Sequence, residues 1–242
     1  MLIEEKKVVW TMIRLIAFDL DNTLAGLGEG ICPENLERLK KIESKGVMIA
    51  VCSGKPVDYL CGFMRQAGLK DAVLVGENGA VIQFGVGLPP DRFYILPYSE
   101  AAKESLAFIK NNISGLFPHI WFQPNLTGVT PFPENAEEFE GISGFLGKHK
   151  QEFTDVEVYR HIDSFDIVPK GIDKKKGLEY LVELTGILPK ETVSVGDGVN
   201  DYPMFEFAGY SVGINLKDIT KADSNFGTVT EALDHLLSLL QQ

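Results

Sequence analysis

The apolar run at residues 13–18 (IRLIAF), followed at once by the polar segment DLDNT, most constrains how this chain can fold. A continuous apolar run of this length predicts a strand that is buried on both faces, as in a parallel sheet. A helix is expected next, because Pro33 suits a first helical position and apolar residues recur on one face over 36–42. Gly46 then ends the helix before a second apolar run, VMIAVC. The segment therefore predicts a βαβ unit.

The same alternation continues after this unit and returns late in the chain. Pro56 opens a second helix that Gly68 closes, and the strand AVLVG follows. The late elements are a helix at about 174–185, the strand TVSVG, a helix around 200–208, the strand YSVGI and a final helix from about 229. Thr228 and Glu231 match a capping box for that last helix. This alternation predicts an α/β fold with a doubly wound, Rossmann-like parallel sheet that helices cover on both sides.

Residues 85–168 break the alternation. Here the pattern predicts the order αββαββ, with helices over 99–113 and 134–147 and strands in the segments HIWFQ, TGVTPF, VEVYR and FDIV. Each helix carries one apolar face to lay on a shared antiparallel sheet. Prolines punctuate both junctions, at Pro89-Pro90 and at Pro169. We therefore predict a core domain from 1–84 and 169–242, interrupted by a small α+β cap domain at 85–168.

Charge and composition exclude several classes of partner. The 34 acidic and 23 basic residues give a net charge of -11, which repels nucleic acid and anionic membranes. No apolar run approaches the roughly 18 residues that span a bilayer, and the first residues lack the features of a secretory signal. Three cysteines without CxxC spacing argue against a disulfide framework and against a zinc site. We expect a cytoplasmic protein with no nucleic-acid or membrane partner.

The segment Asp19-Leu20-Asp21-Asn22-Thr23 follows the first predicted strand. Ligands of open α/β sheets bind beyond the carboxyl ends of the strands, so this is a candidate site. Asp19 can serve there as nucleophile and metal ligand, with Asp21 placed to exchange a proton. The alternative is an Asx turn that only caps the next helix.

A second acidic segment, Gly196-Asp197-Gly198-Val199-Asn200-Asp201, ends another predicted strand. It brings Asp197 and Asp201 to the same edge of the sheet as Asp19. Carboxylates that converge in this way repel one another unless a hard divalent cation lies among them, and oxygen ligands favour magnesium over zinc. The alternative is a DG turn with a helix cap.

Two further features can neutralise an anionic ligand. Ser53 closes the second predicted strand, where its hydroxyl and the amides of Gly54 and Lys55 can hold a phosphoryl oxygen. An ordinary helix-capping serine is the alternative. The run Lys174-Lys175-Lys176 begins a helix, where positive charges are unfavourable because they oppose the helix macrodipole. At least one of these lysines is therefore expected to serve a purpose other than helix stability. A solvated helix face is the alternative for this run.

In this order, the four segments resemble the haloacid dehalogenase superfamily of phosphohydrolases: DxDxT at Asp19, a serine at a strand end, a lysine that opens a late helix, and GDxxND from Gly196. Glu77-Asn78-Gly79-Ala80 and the tail from Gly227 to Leu233 are similar to segments of its Cof-like branch, which has a type IIB cap between the second and third motifs. The αββαββ insert agrees with such a cap in minimal form. Within this branch, the chain is similar to phosphoglycolate phosphatases and to sucrose-phosphate phosphatases. Residues 1–11 have no counterpart in the pattern.

The resemblance implies a Mg²⁺-dependent phosphatase of small phosphorylated metabolites, such as phosphoglycolate or sugar phosphates. Asp19 would attack phosphorus to form an aspartyl-phosphate, and Asp21 would protonate the leaving oxygen and then activate water. The Mg²⁺ ligands would be Asp19, the Asp21 carbonyl and Asp197, with Asp201 in support.

The resemblance also assigns the residues that contact the substrate. Ser53 and a lysine would neutralise the phosphoryl oxygens. The family pattern matches best with Lys174, and Lys175 and Lys176 are the other choices. Further substrate contacts are expected from Thr23, Gly54, Lys55, Asn78, Asn200 and Arg160. Lys55 stands where many relatives carry arginine, and His161 is an alternative to Arg160 for a contact to the leaving group.

Two other functions are compatible with the same motifs. A phosphomutase similar to phosphomannomutases must hold a second phosphate and uses several arginines for it, whereas the insert has only Arg92 and Arg160. A phospho-aspartate receiver or non-catalytic binding module would also keep an acidic pocket and a lysine, but not an inserted cap. The phosphatase is therefore the leading prediction, with a small phosphate ester as its partner and a monomer or homodimer as its state.

Overall fold

Strands and helices alternate over most of residues 12–241, which the computed structural model describes. The strands are β1 (Leu15–Asp19), β2 (Met48–Cys52), β3 (Val73–Gly76), β4 (Val81–Phe84), β5 (Arg92–Ile95), β6 (Trp121–Phe122), β7 (Pro131–Phe132), β8 (Val156–Arg160), β9 (Phe165–Pro169), β10 (Thr192–Gly196), β11 (Tyr210–Ile214) and β12 (Ser224–Phe226). The helices are α1 (Pro33–Ser44), α2 (Val57–Ala67), α3 (Glu100–Leu116), α4 (Ala136–Lys148), α5 (Lys174–Thr185), α6 (Tyr202–Phe207) and α7 (Val229–Leu239). The central sheet is mostly parallel, which confirms the predicted α/β class.

The chain divides into two compact units. One contains the described residues up to Ala50 and those from Val182 onward, and the other is Val51–Leu181. The predicted core and cap boundaries, 1–84 with 169–242 and 85–168, stay a prediction. Residues 1–11, for which the sequence analysis finds no counterpart in the family pattern, lie outside the described residues.

In the first unit, strands β12, β11, β10 and β1 lie side by side in that order, and each neighbouring pair is parallel. All five residues of β1 are buried, as its apolar sequence predicts. Helices α1 and α7 contact each other, and the Arg38 guanidinium pairs with the Asp234 carboxylate at 2.7 Å between Nε and Oδ1. The predicted capping box is confirmed, because Thr228 and Glu231 exchange hydrogen bonds between side chain and backbone at the start of α7.

In the second unit, α2 begins after Pro56 and buries the apolar face that its sequence predicts. Gly68 ends it with a φ of 78°, a conformation that glycine adopts at little cost. Strands β3, β4 and β5 form an antiparallel meander that the sequence analysis did not predict. Glycines and prolines fill the β4–β5 connection, and this composition made the segment read as a domain junction rather than as a hairpin.

The elements from α3 to β9 follow the predicted order αββαββ. Strands β6 and β7 form one hairpin and β8 and β9 another. The backbones of Val129 and Ile167 join the two hairpins through two hydrogen bonds of 2.9 and 3.0 Å. Apolar residues of both helices and of β9 share one hydrophobic cluster, which includes Ile109, Ile142 and Phe165.

No helix among residues 12–241 combines the length and the apolar character that a bilayer-spanning segment needs. All three cysteines are free thiols; Cys52 and Cys61 are buried and Cys32 is exposed.

Candidate active site

Three carboxylates converge at one edge of the parallel strands in the first unit. Strand β1 ends at Asp19 and its parallel neighbour β10 ends at Gly196, one residue before Asp197. The register pairs Phe18 with Val195, so both acidic segments leave the sheet at the same level. Oxygen atoms of Asp19, Asp197 and Asp201 lie within 4.8 Å of one another. This is the juxtaposition that the sequence predicted for these residues.

The loop after β10 holds Asp201 close to the strand end. The Asp201 Oδ2 atom accepts hydrogen bonds from the backbone N–H of Asp197, at 2.9 Å, and of Gly198, at 3.0 Å. A Cβ atom on Gly196 would lie 2.4 Å from the Asp201 carboxylate, far inside van der Waals contact. Glycine at position 196 is therefore required for Asp201 to occupy this fully buried place.

The turn after β1 is fixed by its own backbone and by Thr23. Asn22 has a φ of 60°, and its N–H donates to the carbonyl oxygen of Ala25 at 2.7 Å. The buried Thr23 hydroxyl donates to Asp197 Oδ1 at 3.2 Å. Thr23, which was predicted to bind substrate, thus connects the two acidic segments, and its contact with substrate stays a prediction. Asp21 is only partly buried in this turn.

This donor set fits a divalent cation. Asp19 and Asp201 are buried and Asp197 is partly buried, so their negative charges are poorly screened by water. Ionised carboxylates at this separation require a compensating positive charge. Oxygen donors without sulfur or imidazole suit a hard cation.

Ser53 and its neighbours form a second candidate element, within the other unit. Ser53 follows β2, is buried, and accepts through Oγ from the Lys55 N–H at 3.2 Å. It does not cap α2, whose N-cap residue is Pro56, so the capping alternative is wrong. The N–H groups of Glu77 and Asn78 donate to the carbonyl oxygens of Lys55 and Ser53 at 3.0 Å each. This backbone pairing fixes the Ser53–Lys55 segment, which we call the serine loop.

Burial separates the three lysines at the start of α5. Lys174 is 2% exposed, whereas Lys176 is exposed and its Nζ atom lies 3.1 Å from the Glu179 carboxylate. The side chain of Asp173 caps the helix by accepting from the Lys176 N–H at 2.7 Å. The solvated-face alternative therefore describes Lys176 but not Lys174.

A polar cluster next to the serine loop was not predicted as a unit. The Asp166 carboxylate accepts hydrogen bonds from Asn78 Nδ2 at 3.1 Å and from Thr130 Oγ1 at 2.8 Å, and His161 Nε2 lies 3.2 Å from it. We call these four residues the Asp166 cluster. Gln123 also reaches the serine loop, because its Nε2 atom donates to the carbonyl oxygen of Gly54 at 3.0 Å.

The Asp166 cluster favours an ion pair. Burial alone would raise the pKa of Asp166, but hydrogen bonds from His161, Thr130 and Asn78 together hold that pKa below its ordinary value. The bond to Asp166 in turn raises the pKa of His161 against the opposing effect of burial. The sequence analysis named Asn78 and His161 as separate candidate contacts, but the only signal for Asp166 was its position as an acidic residue within the apolar strand β9.

The remaining predicted substrate contacts lie in different surroundings. The Arg160 guanidinium binds Ser143 and Glu140 of α4 at 3.0 and 2.9 Å and lies over the Phe139 ring. Asn200 is exposed. The substrate contacts predicted for both residues stay predictions.

The fold and the site together define an α/β protein with a cluster of carboxylates at the carboxyl ends of parallel strands, which is where open α/β sheets bind their ligands. A profile of haloacid dehalogenase-like hydrolases matches residues 16–123 and 123–230. The chain therefore belongs to the haloacid dehalogenase-like hydrolase family, which confirms the resemblance seen in the motifs.

Individual relatives align over most of their length. The phosphoglycolate phosphatase of Methanobrevibacter smithii is 28% identical over 228 residues, which cover 88% of this chain and 91% of that protein. The phosphoserine phosphatase of Albidiferax ferrireducens is 26% identical over 231 residues, which cover 94% and 90%. Among solved structures, a haloacid dehalogenase-like hydrolase from Bacteroides thetaiotaomicron superposes with a TM-score of 0.77 at 19% identity, covering 93% of this chain and 99% of that one.

Proposed function

We propose that this protein is a Mg²⁺-dependent phosphatase that hydrolyses small phosphorylated metabolites through an aspartyl-phosphate on Asp19. The observation that carries the proposal is the convergence of Asp19, Asp197 and Asp201 at the ends of two parallel strands. Family membership and relatives named as phosphoglycolate and phosphoserine phosphatases support it.

The reaction has two displacements. In the first, a carboxylate oxygen of Asp19 attacks phosphorus, the bond from phosphorus to the ester oxygen breaks, and Asp21 gives its proton to the leaving alcohol. In the second, Asp21 takes a proton from water, the water oxygen attacks phosphorus, and the bond from phosphorus to Asp19 breaks. Inorganic phosphate leaves and Asp19 is again a free carboxylate.

Asp19, Asp197 and the Asp21 carbonyl would hold the cation, and Asp201 would support it by fixing the loop after β10. Bound there, Mg²⁺ supplies positive charge that lets an anionic ester approach a group of carboxylates. The family resemblance assigns Ser53 and Lys174 to the phosphoryl oxygens. For both residues, burial agrees with a role in a closed site rather than in surface charge.

The substrate we propose is a compact phosphate ester rather than a macromolecule. The predicted cap at 85–168 would cover the site and exclude large esters. The net charge of -11 disfavours nucleic acid. We place the enzyme in the cytoplasm, as a monomer or homodimer.

The test is a phosphatase screen of the purified protein over phosphoglycolate, sugar phosphates, nucleotides and an aryl phosphate, with Mg²⁺ or with EDTA. We expect hydrolysis of small esters that EDTA abolishes. Asp19→Asn should abolish turnover while leaving the fold intact, because the amide has nearly the same shape but is a poor nucleophile. Asp71→Asn, a change at an exposed acid, is the matched control.

Mass spectrometry after rapid quenching should find the phosphoryl group on Asp19. Full activity in EDTA, an active Asp19→Asn variant, or a phosphoryl group trapped on another residue would each contradict the proposal.

A further inference from the structure

Strand β5 has one edge without a partner strand. It lies at the end of its sheet, and within residues 12–241 the only strand that pairs with it is β4. The Leu96 N–H, just after β5, donates to the carbonyl oxygen of Ala80 at 2.8 Å. Backbone groups alternate in direction along an antiparallel strand. Phe93 and Ile95 therefore turn their N–H and C=O groups away from β4, toward the open edge.

The same two residues expose apolar side chains. Phe93 is 38% exposed and Ile95 is 47% exposed. Both project from one face of the strand, because successive side chains point to opposite faces. The charged residue of β5, Arg92, places its guanidinium over the Phe84 ring, 3.6 Å from the ring centroid. Phe93 and Ile95 thus form an apolar edge that no charged residue of the strand interrupts.

Two other strands that end a sheet have features that discourage pairing. Strand β8 carries the charged residues Glu157 and Arg160, and β12 has only three residues, of which Ser224 and Asn225 are polar. Charges and short length are the usual means by which proteins protect an open edge. Strand β5 has neither at the positions that face outward, which favours a partner strand on this edge.

We propose that β5 pairs with β5 of a second copy of this chain, in an antiparallel homodimer whose two-fold axis passes through Tyr94. Phe93 of each copy would lie opposite Ile95 of the other, and each such pair would exchange two backbone hydrogen bonds. Two outward residues with this spacing are their own complement under a two-fold rotation. Aromatic and β-branched side chains also pack favourably across antiparallel strands. The interface does not depend on the chemistry proposed for Asp19.

The residues that flank the edge select this register. A two-fold axis at Phe93 would pair Ile95 with Asp91, which lies in a bend before the strand. An axis at Ile95 would pair Phe93 with Pro97, which has no N–H to donate. The axis at Tyr94 avoids both faults, because every hydrogen-bonded pair then lies within β5.

Sedimentation velocity of the full chain at increasing concentration tests the proposal. Because few residues form the interface, we expect a reversible dimer with a dissociation constant of about 1–100 µM, within a series of about 1–500 µM. Ile95→Lys should weaken the dimer about tenfold or more, because a charge replaces an apolar contact at the edge. Ile162→Lys makes the same change at a side chain that is 98% exposed and lies outside β5, and is the matched control. Circular dichroism checks folding.

Cysteine cross-linking tests the register. In the proposed dimer the two copies of Tyr94 face each other with Cα atoms about 4.5 Å apart, which is within the range of a disulfide. The two copies of Ile95 are offset by about 7 Å along the strands, which puts them out of that range. Cys32→Ser removes the exposed native thiol. In that background Tyr94→Cys should give a covalent dimer on mild oxidation, whereas Ile95→Cys should not.

A wild-type protein that stays monomeric throughout the concentration series would overturn the proposal, whether or not the variants fold. A dimer that Ile95→Lys leaves unchanged would place the interface elsewhere and would also overturn it. Covalent dimers from Ile95→Cys but not from Tyr94→Cys would reject the axis at Tyr94. A protein that dimerises through β5 but hydrolyses no phosphate ester would contradict only the proposed function.

Discussion

Gly196→Ala is the substitution whose consequence can be worked out most directly from the structure. The added methyl group would lie 2.4 Å from Cγ and Oδ2 of Asp201, where ordinary contact needs about 3.4 Å or more. Asp201 is fully buried and is held by two backbone N–H groups, so it cannot move aside without losing those bonds. The acidic loop itself must therefore shift by about 1 Å.

Overpacking of a filled interior costs about 1–3 kcal/mol. For a chain of this size, each kcal/mol lowers the melting temperature by about 2–4 °C. We therefore expect the melting temperature of Gly196→Ala to fall by about 2–12 °C. The stabilisation on adding Mg²⁺, a direct measure of binding to the folded state, should shrink as well.

Gly62→Ala is the matched control, because Gly62 lies within α2 with nothing within 4 Å of an added Cβ. It should be neutral or stabilising by about 0.5–1 kcal/mol. Thermal denaturation with and without Mg²⁺ measures both effects. A Gly196→Ala variant with wild-type stability and an undiminished Mg²⁺ shift would refute the packing argument.

Two more predictions concern charged side chains. Lys174→Met should lower kcat/KM on small esters about 100-fold, which is the usual loss when one electrostatic stabiliser of the transition state is removed. Lys176→Met should keep a kcat/KM near that of the wild type. The reverse ranking would show that the family pattern was aligned to the wrong lysine. Because the folded pKa of His161 is raised, its bond to Asp166 stabilises the fold fully below the ordinary histidine value of 6.5 and is lost as pH rises through the folded pKa. Urea titrations should therefore show His161→Gln less stable than wild type near pH 6, with the gap closing by about pH 9, and a gap that does not depend on pH would contradict the ion pair.

The acidic site could be predicted from sequence because a topological rule places it. Parallel strands end at the same edge of a sheet, so the polar residues after β1 and β10 had to lie close together. The Asp166 cluster follows no such rule. Thr130 approaches Asp166 only because the backbones of Val129 and Ile167 pair, and this contact spans 38 positions of the chain.

Arg160 and His161 also show that the sequence could not predict which side chain makes a given contact. Adjacent residues at the end of a strand point to different sides, so the sequence could nominate both but could not choose between them. In the structure Arg160 binds α4 and His161 binds Asp166. The choice depended on the direction of the side chains, which the folded hairpin sets.

Glu77 has a consequence for hydrogen exchange. Its carboxylate, on a residue that is 3% exposed, accepts from the backbone N–H of Leu126 and Thr127, at 2.8 Å each, and from the Thr127 hydroxyl at 2.6 Å. The side chain of Leu126 is itself exposed, so by surface position alone its amide would exchange quickly with solvent. Exchange of either amide proton instead requires the buried Glu77 carboxylate to lose its hydrogen bonds. The two amides should therefore exchange together, and as slowly as those of a packed strand.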